Sequence, residues 1–192
     1  MKLFLDSPDF LRTVASETDK NLEVARTLAS GLTETQMNWK PSAEQWSIAQ
    51  CLDHLTVTTN EFEKHFERAL RRAREKWPVT NSPRYKPSML GGWLAKQVSP
   101  EAPRKITAPK IFRPASSSIP ASLEKFVSQH ARFLDFVRES TGFDYNKTRL
   151  RSPVTPLMRY SLADAFVITV LHGQRHLAQA RRVRERPEFP KA

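Results

Sequence analysis

Two histidines four positions apart, His172 and His176, sit in the apolar run "ADAFVITVLHGQRHLAQA". Residues four apart on a helix share a face, so two imidazoles there can reach one ion. Imidazole nitrogen suits zinc, nickel, copper and iron. Facing side chains from other helices complete such sites in bundle cores. Three protein ligands leave positions open for water or substrate. The spacing also fits two polar residues on a partly exposed helix edge, and the pair alone does not decide between them. The metalloprotease pattern HExxH is absent, because Gly173 stands where its glutamate would be.

The chain has three more histidines, His54, His65 and His130, and one cysteine, Cys51. His54 flanks an apolar helical stripe beside Leu55 and shares an edge with Cys51, Thr58 and His65. His65 lies about 16 Å further along that helix at 1.5 Å per residue, too far to share an ion. His130 falls in an apolar arc with Phe126, Leu134 and Val137. It reads either as a core histidine satisfied by a carbonyl or as a group lining a pocket. Cys51, one turn before His54, is either a small buried residue or a thiolate ligand. Asp53 and Gln179 are placed to orient the second ring nitrogen of a ligand.

The elements that must position these groups are helical. The first long helix is expected to open at Ser7 with Pro8 inside it, and to stop near Gly31. The second opens at Ser47, where Gln50 completes a capping box and Trp46 and Cys51 occupy staple positions; it runs to about Lys76. A Pro-rich connection from Trp77 to Ser118 follows, with one short helix in "SMLGGWLAKQ". A connection of that length in a compact domain is usually functional or mobile, and here it is expected to help wall the histidine site. The third long helix spans about Pro120 to Ser140. The fourth is capped by Ser161, with Asp164 three residues on, and reaches about Arg186. Capping accounts for Asp164 without chemistry. No alternating strand pattern of any length appears. The expected fold is all-α, a four-helix bundle in one domain over residues 1–192, with a long crossover between its second and third helices.

Composition narrows the function. One cysteine cannot form an internal disulfide, no apolar run reaches the roughly 18 residues of a bilayer span, and "MKLFLDSPDF" does not read as a signal peptide. A cytoplasmic protein without a membrane partner is expected. The net charge is +11, but the basic residues are spread over "RALRRAREK", "RKITAPKIFR" and "RRVRER". Two of these segments close predicted helices, where cations oppose the helix dipole. That distribution argues for a solvated surface rather than a nucleic-acid partner.

The segments "NWKP", "WSIAQCLDHL" and "SLADAFVITVLHGQRHLAQARRV" resemble the signature segments of the DinB/YfiT-like superfamily. The resemblance implies a four-helix bundle holding one divalent metal, zinc, nickel, iron or manganese, on three histidines. By motif position these are His54, His172 and His176. It implies a small-molecule substrate, and a homodimer is compatible with it. Members include thiol S-transferases, a thiol-dependent isomerase and proteins described as metal-dependent hydrolases. The expected activity is transfer of a low-molecular-weight thiol cosubstrate to an electrophile. Hydrolysis by activated water and a non-catalytic metal-binding bundle are the alternatives.

Overall fold

The computed structural model describes residues 1–102, 107–155 and 157–191. Its elements in order are α1 (Lys2–Leu5), α2 (Phe10–Ala29), α3 (Glu34–Asn38), α4 (Ile48–Lys76) and α5 (Met89–Val98). A 3₁₀ turn (Lys110–Phe112), α6 (Ser122–Arg138), β1 (Arg149–Arg151), β2 (Arg159–Ser161) and α7 (Leu162–Arg184) complete them. The long helices α2, α4, α6 and α7 form a four-helix bundle, as expected. α2 and α4 each pack on both α6 and α7. Pro103, Pro156 and the Arg104–Lys105 part of the basic segment lie outside the described residues.

Local chemistry explains the helix starts. Ser47 and Gln50 close a reciprocal capping box on α4, and Ser161 and Asp164 do the same on α7. α2 begins later than Ser7–Pro8 suggest. Its cap is Asp9, whose carboxylate accepts from the Arg12 amide, while Ser7 bonds Thr13 and the Asp9 amide outside the helix. The chain leaves α2 through Gly31 at φ +73°, a conformation glycine takes without a Cβ penalty. α3 was not anticipated, although Thr33 and Gln36 form a capping box of their own. The β1–β2 pair was not anticipated either. Its antiparallel register matches Leu150 to Tyr160, both buried, and three residues per strand are too few for an alternating pattern to register.

Two apolar clusters fill the bundle. One is aromatic: Phe66 of α4 packs on Phe133 and Phe136 of α6 and Phe166 of α7, with centroids 5.3–6.0 Å apart. The other gathers Leu22, Leu28, Leu52, Leu55, Phe126 and Leu177. The crossover helix α5 lies on α7 through Gly91 and Ala95, both buried. Its Met89 and Trp93 face outward, so "MLGGWL" is buried on one side only.

Asp164 does more than cap. It is fully buried, and its carboxylate accepts from the hydroxyls of Tyr85 (2.9 Å), Ser88 (2.7 Å) and Ser161 (2.7 Å). The start of α5 is thereby tied to the start of α7. Gly91 is required there, because a Cβ on it would collide with the Asp164 side chain.

His130 takes the core role. Its Nδ1–H donates to the Phe126 carbonyl at 3.2 Å, and burial lowers its pKa from 6.5 to about 4. Between those two values the unfolded chain binds a proton that the folded chain does not. His130 therefore contributes stability that is complete above pH 6.5 and is lost as pH falls toward 4. The loss by pH 4 is on the order of 3 kcal/mol. In His130→Gln, urea unfolding at pH 8 and at pH 4.5 should show a smaller pH difference than the native chain shows. An equal difference would exclude His130 from the acid limb.

Candidate metal centre

His54, on the second turn of α4, meets His172 and His176 from the middle of α7. One ligand atom from each of the three lies within 4.8 Å of the others. His54 Nε2 is 3.1 Å from His172 Nε2, and the ring centroids are 4.5–4.9 Å apart. Two ligands about 2.0–2.1 Å from a tetrahedral ion stand roughly 3.3 Å apart, so this spacing fits one shared cation.

The tautomers fit as well. The Phe112 carbonyl accepts from His54 Nδ1–H at 2.5 Å, which leaves Nε2 as the lone-pair nitrogen aimed into the group. Gln179 Oε1 accepts from His176 Nδ1–H at 3.1 Å and does the same for that ring. Gln179 thus takes the orienting role read from the sequence. Asp53 does not: its carboxylate accepts from the Ala115 amide at 2.9 Å and holds the crossover instead.

Burial makes all three rings neutral at pH 7. Burial lowers His54, against a smaller opposing effect of the Phe112 carbonyl and Asp53. Burial puts His176 at about 3, with His54 adding to it. Burial, then His176, His54 and Arg175, holds His172 well below its usual value. Neutral imidazole is the form that binds a metal.

The crossover walls this site. Phe112 touches His54, the Ala115 carbonyl accepts from Gln50 Nε2, and the Ser99 carbonyl accepts from Arg175 at 3.1 Å. Trp46, read from the sequence as a staple residue, packs its ring 4.8 Å from His54 and 5.5 Å from His176. That role depends on a tertiary contact with α7, which the spacing within α4 does not reveal.

Gly173 between the two histidines has a packing reason. Asn21 of α2 donates to the Val170 carbonyl at 3.1 Å, and a Cβ on Gly173 would sit 2.6 Å from that amide nitrogen. A mid-helix glycine costs about 1 kcal/mol against alanine; here the missing Cβ lets α2 close on α7 beside the site.

His65, His130 and Cys51 do not belong to the three-histidine group. The Cys51 thiol is fully buried, and burial pushes its pKa up to about 12, which disfavours the thiolate a metal needs. No described helix is long and apolar enough to cross a membrane.

The bundle with one three-histidine group at its wall defines a class of protein. Residues 17–180 match the sequence pattern of the DinB superfamily, and the chain belongs to that superfamily. The fold is similar to that of YfiT from Bacillus subtilis, described as a probable metal-dependent hydrolase with an unusual four-helix bundle topology. The superposition has a TM-score of 0.60 at 16% identity and covers 96% of this chain and 91% of that one. No curated relative matches at the sequence level.

Proposed function

We propose that this chain is a divalent-metal-dependent enzyme whose metal sits on His54, His172 and His176. The observation that carries the reading is three neutral imidazoles within 4.8 Å, His54 and His176 buried and His172 half-buried, two of them with Nδ1–H committed to an acceptor so that Nε2 is free. A bound divalent cation would lower the pKa of a coordinated nucleophile and hold it against an electrophile. The residues around it supply placement. Phe112 and Gln179 fix two ring orientations, Trp46 covers the rings on one side, and the crossover bounds the space from which substrate would approach. Zinc, nickel, iron and manganese all accept imidazole-containing sites.

The reaction we favour is transfer of a low-molecular-weight thiol to a small electrophile. A thiol ionises far more readily than water, and no carboxylate belongs to the group to act as a base. Hydrolysis is the second reading, favoured by the description of YfiT. We further read residues 1–192 as one domain. Metal analysis of the purified protein, followed by two assays, tests these readings. Consumption of a thiol by a chromogenic electrophile supports transfer. Ester cleavage without thiol supports hydrolysis. No metal and neither activity would leave a non-catalytic bundle.

Outer partners of metal-bound histidines are worth about 10–100-fold in metal affinity. Gln179→Leu should therefore weaken metal binding by about that factor without loss of helix, measured by competition with a chelator. Unchanged affinity would remove Gln179 from the orienting role.

A further inference from the structure

A basic pocket lies further along α4 than His54, from His65 onward. A cavity of about 230 Å³ between α4 and β1 is lined by His65, Arg68, Arg72, Arg149 and Arg151, and no carboxylate lines it. Arg159 stands directly opposite Arg151 in the β1–β2 register. Like charges facing each other across a strand pair are destabilising. Among the described residues, none of these five arginine side chains makes an ion pair or hydrogen bond, whereas Arg74, Arg132 and Arg138 are each paired with a carboxylate. The pKa of His65 is lowered by burial and then by Arg68; Glu61, one turn back, opposes this. The guanidiniums are exposed to solvent, so they are free to meet an incoming anion. Guanidinium groups bind phosphate oxygens in bidentate fashion.

The geometry points to a binding site for a phosphoryl group of a small molecule, held by Arg68, Arg72, Arg149 and Arg151 and separate from the metal centre. The cluster is confined to one half-open pocket between α4 and β1, which favours one compact, multiply charged group over the extended backbone of a nucleic acid, which needs a continuous basic track. His65 is about 16 Å along α4 from His54 at 1.5 Å per residue, so the two sites do not share an atom.

Inorganic pyrophosphate is the probe, titrated calorimetrically at constant ionic strength. Saturable 1:1 binding is expected, weakened at least tenfold in Arg149→Ala and in Arg72→Ala. Arg71→Ala removes the same charge from α4 outside the cavity and should change affinity less than twofold. His172→Ala should also leave it within twofold, because pyrophosphate can bind metals as well. Circular dichroism confirms that each variant is folded. Any of four results overturns the site: no saturation; equal weakening in Arg71→Ala and Arg149→Ala, which would mean diffuse surface charge; loss in His172→Ala with retention in Arg149→Ala, which would put the phosphate on the metal; or salt-sensitive binding of duplex DNA that pyrophosphate does not displace.

Discussion

His176→Ala is expected to lose the metal and the activity together and to keep the bundle. Outer-shell partners alone are worth about 10–100-fold in affinity, so removing one of three first ligands should cost at least a hundredfold and bring turnover to background. No neighbour can substitute. Cys51 is outside the group with its thiol pKa pushed up to about 12, and His130 is committed to the Phe126 carbonyl. The helices should survive, because the two apolar clusters do not depend on an ion. Metal-dependent folding is typical of small domains that lack a core. His65→Ala, about three turns further along α4 than His54, should leave metal content unchanged. Metal content and far-ultraviolet circular dichroism on both variants decide it. Full metal retention in His176→Ala would show that the pair on α7 is not the ligand pair. Global unfolding on metal loss would make the ion structural and favour the non-catalytic reading.

Asp164→Ala should be among the most destabilising single changes in this chain. It removes one acceptor shared by three hydroxyls from two segments, Tyr85 and Ser88 at the start of α5 and Ser161 at the start of α7, in a fully buried place. Hydrogen bonds to a charged group are worth about 1.5–3 kcal/mol each, and buried donors left without a partner add to the cost. A total loss of about 3–5 kcal/mol is expected. At roughly 2–4 °C per kcal/mol for a chain of this size, the midpoint should fall by roughly 6–20 °C. Asp164→Asn should lie between, because its amide keeps one acceptor oxygen but turns an NH₂ toward donors. Thermal and urea unfolding measure both variants. A loss under about 1 kcal/mol would show that Asp164 only caps α7. Metal binding should persist where the variant is folded, since His172 is about 12 Å further along the helix at 1.5 Å per residue.

How far the sequence predicted these features depended on distance along the chain. α4 and α7 were readable because a capping box is complete within four residues and an apolar stripe repeats within a helix. The same local signal stands at Thr33–Gln36, but the five-residue α3 that follows is too short to carry a repeating apolar stripe. At the start of α2, Pro8 drew the boundary too early, and the Asp9 carboxylate decided it. The three histidines required the family resemblance, since nothing local in α4 says that His54 faces α7. Trp46, Phe112 and the Asp164 clasp all act across segments, and so escaped a reading along one helix. The arginine cavity escaped for the same reason, because Arg68 and Arg149 meet only when β1 lies against α4.

The packing order of the long helices also bears on how the chain folds. α2 and α4 are joined by the shorter link, yet each packs on α6 and α7, and the main helix interfaces close over the crossover or over longer spans. An ordinary up-and-down bundle can begin as a helical hairpin of sequence neighbours. Here the first pair to emerge has no such interface, and α4 must wait for α6 and α7. Contacts between distant segments carry the entropy of closing long loops before they return any stability. Relative contact order is therefore raised for an all-helical chain, and such chains fold more slowly than their helix content suggests. Refolding is expected to be slower than the microsecond-to-millisecond range of simple helical bundles, with helix signal recovered before the Trp46 environment.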